Sequence, residues 1–109
     1  MAMVVKRFDA YLVNLDPTIG SEIQKTRPCL VISPDEMNSN IRTVIVAPMT
    51  STQKGYPTRV LCTFQKKKGQ IVLDQLRTID KERLIKRLGT IKSKEQLEVI
   101  SILQRLFAF

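Results

Sequence analysis

The sequence predicts a mainly β, α+β fold: a small, strongly bent sheet or barrel covered by one C-terminal helix. Three observations carry that expectation. Short apolar runs of strand length follow one another from Phe8 to Ile91, and Pro, Gly and polar turns separate them. From Ser93 onward the apolar spacing becomes helical instead. Ser93 followed by Gln96 has the spacing of a capping box and marks where that helix opens.

Taken in order, Phe8 to Asp16 alternates near period two and stops at Pro17, which reads as a first strand. Residues 17–26 form a loop with Gly20 supplying backbone freedom. Cys29 to Ser33 is a continuous apolar run between Pro28 and Pro34, the pattern of a buried strand. Asp35 to Asn40 is polar and turn-rich, Arg42 to Ala47 is a third strand, and Thr50 to Pro57 is a second long loop. Arg59 to Phe64 and Gln70 to Leu73 read as a hairpin turned by Lys66-Lys67-Lys68-Gly69. A helical turn at Lys81 to Ile85 then precedes a short strand, Leu88 to Ile91. In the last helix Leu97, Val99, Ile100, Ile102, Leu103, Leu106 and Phe107 form a stripe wider than one core-facing side needs, so its surplus is available to another subunit.

The totals fit one domain over residues 1–109, with 43% apolar and 26% charged residues. No apolar run approaches the ~18 residues of a membrane span. Met1 to Arg7 places its cations after a very short apolar stretch, the reverse of a signal peptide, so the cytoplasm is the expected location. Cys29 and Cys62 lie inside apolar runs and read as two buried thiols rather than a disulfide. With no histidine and two thiols, no metal site is expected. The net charge of +8 is concentrated: residues 59–94 hold 11 Lys/Arg against 3 Asp/Glu. Such a concentration suits a polyanion.

Glu22 and Arg27 stand near the two ends of the loop that feeds the Cys29–Ser33 strand, and Thr50 and Ser51 follow the next apolar run. A guanidinium, a carboxylate and hydroxyls at successive strand ends can build a phosphodiester site. Lys25, Lys54, Arg59, Lys66, Lys67, Lys68, Arg77 and Lys86 are candidates for tracking a phosphate backbone. Tyr56 and Phe64 are the aromatics available for stacking, with Phe64 the better core residue.

Five segments in order then carry a family resemblance: Leu15-Asp16-Pro17-Thr18-Ile19-Gly20-Ser21-Glu22, Arg27-Pro28-Cys29-Leu30-Val31-Ile32-Ser33-Pro34, Val46-Ala47-Pro48-Met49-Thr50-Ser51, Gly55-Tyr56-Pro57, and Leu73-Asp74-Gln75-Leu76-Arg77-Thr78-Ile79-Asp80. The chain resembles the MazF/PemK-type toxins, sequence-specific endoribonucleases (mRNA interferases) of bacterial toxin–antitoxin pairs. That resemblance implies an SH3-like barrel, a homodimer and cofactor-free, metal-independent cleavage of single-stranded RNA. The ribose 2′-hydroxyl attacks, leaving a cyclic phosphate and a 5′-hydroxyl, and a cognate antitoxin inhibits by laying an acidic segment across the basic groove.

It also implies that Arg27 stabilises the phosphate charge, a task a guanidinium's fixed fork of donors suits, and that Thr50 bonds the phosphate with help from Ser51. Two roles fit Glu22, accepting the 2′-hydroxyl proton or holding Arg27 in place. Asp74 matches a position often acidic in the family and Gln75 follows it; contact with a base or the backbone fits either residue, and a structural Asp74–Arg77 pair fits Asp74 equally. Some family members carry a histidine near the first strand or an arginine two residues before the aspartate, where this chain has Asn14 and Val72. An imidazole base is therefore excluded, and no group has an ordinary pKa near 7, which predicts modest turnover. Two other readings keep the scaffold: a CcdB-like gyrase poison without nuclease activity, and a catalytically inactive RNA-binding regulator. The first acts through a tryptophan-bearing C-terminal tip, and this chain has no tryptophan.

Overall fold

The structure, a computed structural model, describes residues 4–109; Met1 to Met3, part of the N-terminal segment read above, lie outside the described residues. Among the described residues seven strands run β1 (Asp9–Asn14), β2 (Thr26–Val31), β3 (Thr43–Thr50), β4 (Arg59–Phe64), β5 (Lys67–Val72), β6 (Arg77–Asp80) and β7 (Leu84–Thr90). Two helices join them, α1 (Asp35–Asn40) between β2 and β3, and α2 (Ser93–Leu106) at the end. All pairings are antiparallel, in the spatial order β4-β5-β3-β2-β1-β7. β3 is the pivot. Its first half pairs with β6 and its last two residues pair with β5, so one strand belongs to both halves of a bent sheet.

The two ends of the strand order approach each other across the bend. The Gln65 side chain donates to the Leu88 carbonyl at 3.2 Å, and an added Cβ at Gly89 would lie 3.4 Å from the Phe64 ring. That near-closure is the barrel-like shape expected of this chain.

β3 from Val46 to Met49 and β2 from Cys29 to Val31 are buried on both faces, which is why Cys29 onward reads as an unbroken apolar run. β2 begins earlier than that run, at Thr26, because Thr26 and Arg27 pair with Asn14 and Val13 of β1. Leu30, Ala47, Met49, Val60, Ile71 and Leu73 form one core, covered by Val99, Ile102 and Leu103 of α2. Tyr11, Val13, Leu15, Cys29, Val31 and Val46 form the other, closed by Ile79 and Leu84. The two thiols are free, buried, and divided between the two cores, as two structural thiols would be. Burial pushes the Cys29 thiol up to about 12 against the pull of Arg77 and Arg27, and the Cys62 thiol up to about 11.

Several boundaries differ from the sequence reading. Asp35 to Asn40 is a short helix, because buried Asn38 bonds the Ser33 hydroxyl and carbonyl and anchors the turn in the core. The β4–β5 turn is Gln65-Lys66, both at positive φ, so Lys67 to Gly69 belong to the strand. Lys81 to Arg83 is a 3-10 turn and β7 already begins at Leu84. β6 went unread because only Ile79 of its four residues is buried. At α2 the cap position is Lys92, whose N–H donates to Glu95, and Ser93 is the first helical residue. The surplus apolar face of that helix is real: Leu97 and Phe107 are mostly exposed.

Candidate active site

Three clefts open along the end of the sheet where β2, β3 and β5 meet the two long loops. The middle one, about 260 Å³, is lined by Arg27, Thr50, Ser51, Lys67, Lys68 and Gln70 among others. Backbone register explains the assembly. Cys29 lies opposite Pro48, and extending that pairing by two residues brings Arg27 level with Thr50. Thr50 is itself opposite Gln70. The close approach needs Gly69, where a Cβ would stand 2.3 Å from the Thr50 carbonyl oxygen. Sequence reasoning placed this glycine in a turn; its task is to let β5 approach the end of β3.

Arg27 is half-buried, and its Nε donates to the Gln24 carbonyl at 2.8 Å, which fixes the side chain but leaves the terminal nitrogens without an anionic partner among the described residues. It does not pair with Glu22. The Thr50 hydroxyl oxygen accepts the Thr52 N–H at 3.2 Å, so its own proton is available to an outside acceptor. This cleft carries three cationic side chains and no carboxylate, the electrostatics a phosphodiester requires.

Glu22 lines a neighbouring cleft of about 530 Å³ with Asp74, Gln75 and Arg77. Its carboxylate accepts the Ile19 N–H at 2.6 Å, shaping the loop. Gln75 is similarly engaged. Its oxygen accepts the Ile23 N–H at 2.7 Å and its nitrogen donates to the Ser21 carbonyl at 3.4 Å, so it clamps the same loop to the sheet. Asp74 does not pair with Arg77. It accepts the Thr58 hydroxyl at 2.9 Å and forms a 3.2 Å ion pair with Arg59, because Arg59 projects from the adjacent strand while Arg77 turns to the Leu15 carbonyl at 3.0 Å. Burial pushes the Asp74 carboxyl up, but the bonds from Arg59 and Thr58 outweigh it and hold it below its ordinary value.

The third cleft, about 400 Å³, includes Lys54, Tyr56 and Arg59. Arg59 lies 4.7 Å from the Tyr56 ring centroid, so Asp74, Arg59 and Tyr56 form one stack. Lys25 takes part through its backbone, its N–H donating to Asp16 at 3.1 Å, while its side chain is exposed. Lys86 lies outside all three clefts, but it sits opposite Leu12, which is opposite Pro28 of the middle cleft. That places it two strands away on the same face, ~10 Å across.

The basic excess therefore divides into engaged and free cations, with Lys81 joining the engaged ones through the bond from its Nζ to the Asn38 carbonyl. Arg59, Arg77, Arg83 and Arg87 bind internal acceptors, whereas Lys54, Lys66, Lys67 and Lys68 are exposed around the clefts. Gln65, Gly69 and Gln70 were missed as site residues. Only the proximity of Gly69 to a lysine run signalled them, and that run suggested a hairpin tip. Among the described residues no three His, Cys, Asp or Glu side chains come together as a metal site.

A bent β sheet closed by a helix, with an open cation-lined cleft holding an arginine and a hydroxyl, defines a small barrel protein directed at phosphodiesters. Residues 6–107 match the family described as the PemK-like, MazF-like toxin of type II toxin–antitoxin systems, and the chain belongs to that family. It is 38% identical over 108 residues to Endoribonuclease EndoA of Bacillus subtilis, covering 94% of this chain and 93% of that one. It is 36% identical over 102 residues to Endoribonuclease MazF of Staphylococcus epidermidis, covering 88% and 85%. The crystal structure of MazF from Deinococcus radiodurans superposes with a TM-score of 0.87 at 27% identity, covering 99% of this chain and all of that one. The expected family and fold are both borne out.

Proposed function

We propose that this endoribonuclease toxin cuts single-stranded RNA, mRNA included, in the middle cleft by attack of a ribose 2′-hydroxyl on the adjacent phosphorus. The observation that carries this reading is the convergence of Arg27, Thr50, Ser51, Lys67 and Lys68 without a carboxylate. The 2′-oxygen gives up its proton to water in the open cleft and bonds to phosphorus, the bond to the 5′-oxygen breaks as that oxygen gains a proton, and a cyclic phosphate and a 5′-hydroxyl result. The nucleophile belongs to the RNA, so the chemistry needs no activated water and is metal-independent. Arg27 neutralises the charge that builds on the phosphate and is the candidate donor to the leaving oxygen. Thr50 and Ser51 bond the phosphate. Glu22 shapes the loop beside the cut rather than acting as the base, since its carboxylate is engaged by Ile19 and faces the neighbouring cleft.

Lys25, Lys54, Arg77 and Lys86 flank the strand's path, and Tyr56 stacks a base with Arg59 behind it. Asp74 fixes Arg59, and Gln75 fixes the 17–26 loop. The active form is a homodimer in the cytoplasm, inhibited by a cognate antitoxin whose acidic segment covers the lysine-lined clefts. The exposed face of α2 supplies apolar surface for those partners. Among the described residues no helix is long and apolar enough to cross a membrane. An oligonucleotide with one 2′-deoxy sugar immediately 5′ of a mapped cut tests the mechanism. Cutting should vanish at that bond and persist elsewhere, and cutting that continues there, or leaves 5′-phosphate ends, contradicts it.

A further inference from the structure

Gln70 is almost wholly buried on β5, yet its partner on β4, Leu61, is largely exposed and its partner on β3, Thr50, is half-buried. What covers Gln70 is the 51–57 loop. Its side-chain oxygen accepts the Lys54 N–H at 3.0 Å and its nitrogen donates to the Lys54 carbonyl at 2.6 Å. Both backbone groups of one residue are thus paired by one amide, as a neighbouring strand would pair them. Residues 51–57 are all exposed. Among the described residues, no other side chain outside the loop bonds the backbone between Gln53 and Gly55. Gln70 also lines both the catalytic cleft and the third cleft, where Lys54, Tyr56 and Leu61 form the walls.

We propose that Gln70 is a positioning residue that sets which base is accepted beside the cut, by holding Lys54 and Tyr56 as the wall of a nucleobase subsite in the third cleft. The proposal rests on cleavage in the middle cleft and adds the subsite to it. Tyr56 is about half exposed, with Arg59 on one face of its ring and Asp74 fixing Arg59. Its remaining surface offers a base a rigid platform. Lys54, held through its backbone, keeps its ammonium free for the phosphate or a base oxygen. A strand with its scissile phosphate at Arg27 and Thr50 passes Gln70 before its next base reaches Tyr56. A loop freed from Gln70 would still carry these groups but would present them in many positions, weakening selection before it weakens chemistry.

The test is Gln70→Met, which keeps the side chain's length without its amide, applied to a long mixed-sequence single-stranded RNA with all cuts mapped. The base preferences flanking the cut should flatten in the variant. KM on a short oligonucleotide carrying the preferred site should rise roughly tenfold, with kcat changing less. A purely structural role would lower the melting temperature and leave base preference intact, and that result overturns the proposal. Amide exchange in the wild-type protein reads the clamp even if the variant fails to fold. The Lys54 N–H should exchange far more slowly than those of Gln53 and Gly55, and equal rates overturn the proposal. If the wild-type protein cuts no RNA, the nuclease reading falls and this one with it. Wild-type cutting with an unchanged motif in the variant removes the role of Gln70 alone.

Discussion

Replacing Gly69 with alanine probes the contact on which the proposed catalytic cleft is built. The added Cβ would stand 2.3 Å from the Thr50 carbonyl oxygen and 3.2 Å from its carbon. Both are backbone atoms, so no side chain can swing away. Reaching even 3.0 Å, the closest approach that real Cβ atoms make, requires β5 and the end of β3 to separate by about 0.7 Å. Overpacking of this kind costs about 1–3 kcal/mol. For a domain of this size that lowers the melting temperature by about 5–20 °C. Thr50 moves with its backbone, and a displacement approaching ~1 Å of a group that positions the phosphate can reduce cleavage about 100-fold. Calorimetry and single-turnover cleavage below the variant's melting temperature separate the two losses. Gly55→Ala is the control, with nothing within 4 Å of its added Cβ, and should be stable to within ~1 kcal/mol. A Gly69→Ala protein with wild-type stability and rate would refute the inferred approach of the two strands.

Gln75→Ala removes both bonds to the 17–26 loop and should cost about 1–2 kcal/mol, read as a lower urea midpoint and faster exchange of the Ile23 amide; unchanged exchange there would contradict the clamp. Asp74 has a folded-state pKa below its ordinary value of 3.8, so its contribution to stability is present above that value and is lost as pH falls through the lower one. Asp74→Asn should therefore be less stable than wild type at pH 7 and lose less on acidification, and parallel pH profiles of the urea midpoint would count against the Arg59–Asp74 pair. Both cysteines should resist a thiol reagent at pH 8 until the protein unfolds, since burial holds Cys29 at about 12 and Cys62 at about 11. These raised values stabilise the fold below the ordinary thiol value of 9.0 and cease to do so as pH climbs through them. Rapid labelling of the native protein would show that the two cores are open.

Much of the fold was legible because its signals are local. The apolar run from Cys29, the Pro-bounded loops and the helical spacing after Ser93 each report burial on a known period. β6 was illegible because its neighbours, not its composition, make it a strand: Thr43 to Val46 supply the pairing for Arg77 to Asp80. The Gln65-Lys66 turn was displaced in the reading because neither residue is a glycine, though both hold positive φ. At the site, Arg27 and Thr50 were recognisable from ordered segments, and register brings them level. The partners of Asp74 and Gln75 were not, because they depend on contacts across 15 to 16 positions for Asp74 and 52 to 54 for Gln75, while Glu22 turned out to bond the Ile19 N–H three residues away instead of Arg27. Charge also misled in part. An arginine that caps a carbonyl, as Arg77 and Arg83 do, looks in sequence the same as one facing solvent.

The most direct test of the account incubates the purified protein with a long single-stranded RNA in EDTA beside its Arg27→Ala variant and maps the ends produced. Discrete cuts with 5′-hydroxyl ends in the wild type, reduced at least ~100-fold in a folded Arg27→Ala protein, are the predicted result. Cutting that needs added metal, or that survives loss of Arg27 undiminished, would contradict it.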